Sequence, residues 1–283
     1  MSDLDPLLRI RSQRDGLSAI ERRIGDFLLE NAPLLRDYSS QHVADALGIS
    51  QSSVVKFAQK LGYRGYPDLK FSIGEALARN GNATGSVRPR RTARRSSEGE
   101  ALWRSKSQAE EQTRLLNQAG AVDEVARKLS RAGCVYLIGL GEDDLRARVM
   151  ALRLSLLGVR TVHNFDPAHM SASVSSAGKG DVCLLFSEHG QQAALCRLAR
   201  QFHEQQGWVV SITRYTANPL RSTADVALLV AAHDEAPHVA PLLYHSALQH
   251  LVDRVYLRLC EIDGSRAERL SANLERLRPL LED

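Results

Sequence analysis

Between Gln51 and Leu61 the apolar residues recur at helical spacing. At about 100° per residue, Val54, Phe57, Ala58 and Leu61 share one side, while Ser52, Ser53, Lys56, Gln59 and Lys60 share the other. The second side is short, polar and basic. Just upstream, Ser40 to Leu47 repeats the pattern with Val43, Ala44 and Leu47 inward, and Gly48-Ile49-Ser50 supplies a tight turn followed by an N-cap. Two short helices joined by a Gly-containing turn form the helix-turn-helix pattern, whose second helix enters the major groove of DNA. The plainer alternative is a helical hairpin with one solvated face.

The neighbouring residues favour the first alternative. Ser18-Ala19-Ile20-Glu21 has the form of a capping box, and Ile20, Ile24, Phe27 and Leu28 then predict the inward face of a bracing helix. Gly62-Tyr63-Arg64-Gly65-Tyr66 follows the second helix directly, with an arginine between two tyrosines where phosphates of a bound duplex would lie. This pattern assigns Gln51, Ser52, Ser53 and Lys56 to base edges, and Lys60, Arg64 and Tyr66 to phosphates.

From Asn80 to Glu100 the periodicity gives way to Gly, Ser, Thr, Pro and Arg, including Arg88, Arg90, Arg91, Arg94 and Arg95. Such a stretch is expected to be a flexible basic linker, either a solvated spacer or an arm adding phosphate contacts. Helical patterns over 101–118 and 121–132 precede short apolar runs at 134–138, 159–162, 182–186, 208–212 and 226–230. Between those runs lie helical patterns at about 144–157, 191–206 and 218–222. Strands apolar on both sides and alternating with helices predict a parallel sheet covered on both faces, with its crevice at the carboxyl ends of the strands. The expected fold is therefore multidomain: an all-α helix-turn-helix domain over 1–79, a linker over 80–100, and a doubly wound, five-stranded α/β domain over 101–283. Two further helices, about 241–261 and 266–281, carry apolar stripes (Leu248, Leu251, Val252, Val255 and Leu259; Leu270, Leu274 and Leu277). Their surplus predicts a homodimer or a dimer of dimers.

Charge supports this division. Of the 37 Lys and Arg and 33 Asp and Glu, residues 1–100 hold 16 and 12, and residues 101–283 hold 21 and 21, so the excess of four positive charges lies in the first part. No run of about 18 apolar residues and no leader is seen, which predicts a cytoplasmic protein with no membrane contact. Cys134, Cys183, Cys196 and Cys260 are too scattered for a zinc site or a disulfide framework, so neither metal nor cofactor is expected.

The stretches Leu17–Asn31 and Val43–Lys70 resemble the N-terminal signature of the RpiR-type bacterial transcriptional regulators, which join a helix-turn-helix domain to a sugar isomerase (SIS) domain. Ser50, Ser53, Val54, Lys56, Phe57, Leu61 and Gly62 fit that pattern, with Ser53 and Lys56 standing where Thr and Arg are more usual. The resemblance implies operator DNA and a small-molecule effector (sugar phosphate, amino sugar or other metabolite) as partners. It places the effector at the loops after the first and third strands, where Gly139, Gly141, Ser187 and Gly190 carry over from the family pattern and Glu142, Asp143 and His189, which depart from it, complete the candidate effector-binding set.

The family pattern there is Gly-x-Gly-x-Ser and Ser-x-Ser-Gly-x-Thr, whereas this chain has Gly139-Leu140-Gly141-Glu142-Asp143-Asp144 and Ser187-Glu188-His189-Gly190-Gln191-Gln192. Carboxylates replace hydroxyls at a helix N-terminus, the place a phosphate would occupy. A phosphate within about 4 Å of a carboxylate would meet repulsion of several kcal/mol. Three readings follow: a cationic or neutral effector such as an amino sugar, a displaced phosphate pose aided by His189, Arg214 or Arg221, or a domain kept for dimerisation alone. The acids themselves have a simpler role open to them as helix caps. His163, His169, His189, His233, His238, His245 and His250 offer bases for an isomerase. No nucleophile or paired carboxylates accompany them, so no catalytic residue is assigned and a regulator rather than an enzyme is expected.

Overall fold

A computed structural model describes residues 4–81, 94–117, 119–164, 166–232 and 236–281. His233 of the histidine set and Arg88, Arg90 and Arg91 of the basic stretch lie outside the described residues. The chain divides into two compact units after Gln108.

The first unit is helical. The α1 helix (Pro6–Ser12) starts where the Asp5 carboxylate accepts the Leu7 and Leu8 N–H groups at 2.8 and 3.3 Å, with proline at its first position. In α2 (Ala19–Glu30) the capping box is complete, Ser18 and Glu21 each holding the other's backbone N–H. The third helix, α3 (Ser40–Leu47), ends on Gly48 at φ +62°, a left-handed position that glycine takes without strain. Ser50 then caps α4 (Gln51–Lys60), and α5 (Tyr66–Gly81) follows. Ile24, Leu28, Val43, Ala44, Val54, Phe57, Ala58, Leu61, Leu69 and Ile73 form one core. Ile20 is not part of it: at 48% exposure it corrects the expected inward face of α2. Helical period fixes direction around an axis, not how far along it the neighbouring helices reach.

Helix α6 (Arg94–Leu116) begins inside the stretch expected to be linker, so residues 94–100 are helical. The second unit continues with α7 (Ala119–Arg131), β1 (Val135–Ile138), α8 (Glu142–Leu156), β2 (Thr161–Val162) and α9 (Pro167–Val174). It is completed by β3 (Val182–Phe186), α10 (Ala193–Glu204), β4 (Trp208–Arg214), α11 (Pro219–Thr223), β5 (Val226–Val230), α12 (Ala240–Ile262) and α13 (Ser265–Leu281). All five strands are parallel, in the order β2-β1-β3-β4-β5. Alternate residues Tyr136, Ile138, Cys183, Leu185 and Val209 pack with Met170, Leu195, Phe202 and Leu220 of α9, α10 and α11. The α8 helix packs on β1 and β3, and α7 and α12 pack on β5.

The edge strand β5 is covered by side chains. Thr113 accepts the Ala231 N–H at 2.9 Å, and the Asn117 amide exchanges bonds with both the Leu229 N–H (2.8 Å) and its carbonyl (2.6 Å). Strand order reverses direction between β1 and β3, which opens a crevice beyond their carboxyl ends. The α12 stripe through Leu248, Leu251, Val252, Val255 and Leu259 is buried inside its own unit, 8% exposed at most, and leaves no surplus. The second stripe, on α13, is open: Leu274 is 50% exposed and Leu270 and Leu277 are half-buried, and a further exposed stripe lies on α8, at Leu145, Val149 and Leu152, 55%, 42% and 58% exposed.

Candidate DNA-binding surface and effector crevice

The α4 helix presents the expected polar side. Gln51, Ser52, Lys56, Gln59 and Lys60 are exposed and Ser53 is half-buried, whereas Val54, Phe57 and Ala58 are sealed in the core. Its first turn is held by a knot of hydroxyls. The Ser50 Oγ lies 2.9 Å from that of Ser52 and 2.8 Å from that of Ser53, and the Gln51 amide donates to Ser40 Oγ at 2.9 Å. One turn further on, Lys56 has no ion-pair partner among the described residues. Arg64 is exposed just after the helix, and its backbone N–H is fixed by the Asp68 carboxylate at 2.9 Å.

Of the residues assigned to phosphate, Tyr66 is buried and Lys60, though exposed, already holds a partner. Tyr66 is 2% exposed and its hydroxyl donates to the Tyr38 carbonyl at 3.2 Å; burial pushes its phenol up to about 12. It is a core residue because α5 turns Tyr66, Leu69, Ile73 and Ala76 inward at helical spacing. Lys60 bridges helices: its ammonium meets Glu21 at 2.7 Å and the Gly16 carbonyl at 3.3 Å, and this bond is the first cause of the lowered Glu21 pKa. No pattern along the chain pointed to α1, whose Arg9 donates to the Leu61 carbonyl at 2.9 Å and lies over the Tyr63 ring at 5.3 Å from its centre, bracing the end of α4.

At the crevice, the loops after β1 and β3 meet. A side chain at Gly139 would strike the Asp143 backbone at 2.5 Å, and one at Gly190 would strike the Asn218 amide at 2.0 Å, so both positions exclude a Cβ. Gly141 starts α8 at φ +64°, without a side-chain cap. The three acids that follow turn to three different partners. Glu142, exposed, reaches the His245 Nε2 at 2.6 Å. Asp144 lies 3.7 Å from the His163 Nε2, and His163 Nδ1 is 3.1 Å from the Leu137 carbonyl. Asp143 is 7% exposed and crosses to the other loop, where it accepts the Glu188 N–H at 2.9 Å and the Tyr244 hydroxyl at 3.3 Å. Burial, opposed by these bonds, raises its pKa above the ordinary aspartate value.

The third-strand loop is equally committed. Ser187, 1% exposed, donates to Gln192 at 2.8 Å and accepts the Gly190 N–H at 3.0 Å. Arg214 pairs with Glu188 through Nε at 2.9 Å and through Nη2, donates to the Ala232 carbonyl through Nη1, and lies over the Tyr244 ring at 5.4 Å. Gly139, Gly141, Glu142, Asp143, Ser187 and Gly190 thus converge, while His189 stands exposed at the rim, 4.0 Å from Glu188. Arg214 is held by Glu188 inside the protein. Tyr244 carried no sequence signal, because it comes from a helix 101 residues away from its Asp143 partner. Among the described residues no cluster of three or more His, Cys, Asp or Glu is arranged to hold a metal, and no helix is long and apolar enough to cross a membrane.

A helix-turn-helix unit followed by a five-stranded parallel SIS fold defines the class of helix-turn-helix transcriptional regulators with a SIS domain. Residues 5–80 match the helix-turn-helix domain of the rpiR family and residues 128–253 match the SIS domain. The chain is 32% identical over 264 residues to the "Uncharacterized HTH-type transcriptional regulator YfhH" of Escherichia coli (strain K12), spanning 92% of this chain and 93% of that protein. It belongs to the RpiR family of transcriptional regulators. Among solved structures, the Vibrio vulnificus NanR protein complexed with ManNAc-6P superposes with a TM-score of 0.62 at 22% identity, covering 98% of this chain and 100% of the other. The sugar isomerase domain of the RpiR transcription factor from Sphaerobacter thermophilus does so with a TM-score of 0.53 at 20% identity, covering 64% and 98%. At these identities the two structures establish the fold alone.

Proposed function

We propose that this regulator binds operator DNA through the outer side of α4 and responds to an uncharged carbohydrate derivative in the β1–β3 crevice, without catalysis. Residues 1–79 carry DNA recognition and residues 101–283 carry effector binding and dimerisation. Lys56 is the leading base-reading group, since it is the exposed cation within the first turns of the helix; Gln51, Ser52 and Ser53 surround it, and Arg64 meets a phosphate. The stripe Leu145, Val149 and Leu152 on α8, which starts at the crevice loop, is the surface a second subunit covers in a homodimer.

The observation that carries the effector class is the Asp143 carboxylate on the Glu188 N–H. A resident anion fills the backbone donor that an incoming anion needs, Ser187 and Gly190 bond each other, and Arg214 is held by Glu188. Among the described residues each of the three acids also has its own partner, His245 for Glu142, His163 for Asp144 and the Glu188 N–H for Asp143. A polyhydroxylated neutral ligand suits such a site, because it exchanges hydrogen bonds without displacing a charge. The NanR structure with ManNAc-6P supports a carbohydrate derivative as the ligand class.

The test is thermal shift of the full chain against sugars offered with and without a phosphate, ManNAc and ManNAc-6P among them. A ligand at 100 times its Kd adds about 2.7 kcal/mol of stability. The expected result is a shift from unphosphorylated members and an altered operator affinity in their presence. Shifts from phosphorylated members alone would overturn the effector class.

A further inference from the structure

The α5 helix buries one side and leaves the other exposed among the described residues. Tyr66, Leu69, Ile73 and Ala76 are at most 2% exposed, whereas Pro67, Phe71 and Gly74 are exposed on the opposite side, Phe71 at 66%. The outer three are spaced four and then three apart, the a/d spacing of a coiled-coil seam. Beside them runs an apolar groove of about 830 Å3, with Pro33, Leu35 and Tyr38 on one wall and Pro67, Lys70, Phe71 and Gly74 on the other. A methyl group added at Gly74 would touch nothing within 4 Å, so the seam has a hollow beside its one large side chain.

We propose that α5 of a second copy of this chain packs parallel to α5 across a two-fold axis and pairs the DNA-binding units. In a parallel coiled coil each seam residue enters a hole made by four residues of the facing helix. For Phe71 those four are the opposite copy's residues at 67, 70, 71 and 74, all of which line the groove. Lys70 and Glu75 flank the seam on its two sides, five residues apart, the positions that face each other in such a pair; they bring opposite charges together twice by symmetry. Lys70 is held at the groove edge by its bond to the Tyr38 carbonyl at 3.1 Å. This self-supplied complementarity selects a second copy as occupant, and pairing through α5 leaves the basic side of α4 open on both copies for two half-sites.

Cysteine substitution in the full chain tests this directly. On mild oxidation Gly74→Cys should form a disulfide between the two residues 74, identified by peptide mass, whereas Glu30→Cys at the exposed end of α2 should not. No coupling at 74, or equal coupling at both positions, would overturn the proposal. Charge reversal gives a second reading: Lys70→Glu and Glu75→Lys should each weaken operator binding about tenfold, and the double variant should restore it to within about threefold. A double variant no better than either single one also overturns it. Failure here would leave the roles of α4 and of the crevice untouched, since neither rests on α5 pairing.

Discussion

The outer side of α4 and the crevice beyond β1 and β3 are both polar regions built at helix N-termini, yet they are wired in opposite ways. On α4 the hydroxyls of Ser50, Ser52 and Ser53 bond one another, and Lys56 beyond them projects into solvent with no ion-pair partner among the described residues. In the crevice, Asp143, Glu188, Arg214 and Tyr244 satisfy one another across three elements, and Ser187 is sealed within its own loop. An open surface gains every interaction a polyanion brings; a closed network yields only the difference between its own bonds and those of the ligand. This difference underlies the proposed division of labour, electrostatic binding of DNA at the open region and, at the closed one, a neutral metabolite that shifts an equilibrium by a modest amount.

Removing a network member should have the largest effect. Arg214→Ala leaves the half-buried Glu188 carboxylate without its cation, and should cost about 1–3 kcal/mol in denaturant unfolding. A change below about 0.5 kcal/mol would show that the crevice is as open as α4. On the open side, Lys56→Ala should weaken operator binding by about 1–3 kcal/mol with little loss on unrelated duplexes. Arg64→Ala should weaken both and lower the salt slope by about one. Equal losses on both DNAs from both variants would show that the two roles are wrongly divided.

A smaller effect concerns proton linkage. Because burial holds the Asp143 pKa above its unfolded value, the folded protein takes up a proton more readily than the unfolded chain as pH falls through the folded value. This group therefore favours folding progressively more from the raised folded pKa down to the ordinary aspartate range. Asp143→Asn should abolish that gain, so the stability of wild type relative to the variant should rise as pH falls through that window. A fall in the same window would contradict the burial of Asp143. The smallest effect is expected from Lys60→Ala, about 0–1 kcal/mol of stability, since its bond to Glu21 is exposed to solvent.

Local signals made α4 legible in the sequence. The Ser50 cap, the Gly48 turn and the Val54-Phe57-Ala58 spacing all act within one or two turns, and each is visible along the chain. The five strands were legible for the same reason, apart from the shortening of β2 to Thr161–Val162. Tyr66 misled because a tyrosine near Arg64 reads as a phosphate-contacting group until α5 is seen to begin there. The crevice network was not legible, since Asp143 bonds groups 45 and 101 residues away and no spacing rule links them. Its acids read as helix caps or as charges facing a ligand, and only the fold shows each one with a partner in another element or loop.

The proposed base-reading role of Lys56 can be checked by selecting duplexes from a random pool with the full chain and comparing binding of wild type and Lys56→Ala to selected and unselected DNA. The variant should lose about tenfold or more of its preference for the selected sequences while keeping its affinity for unselected ones. An unchanged preference, or a wild-type protein that enriches no sequence at low salt, would contradict it.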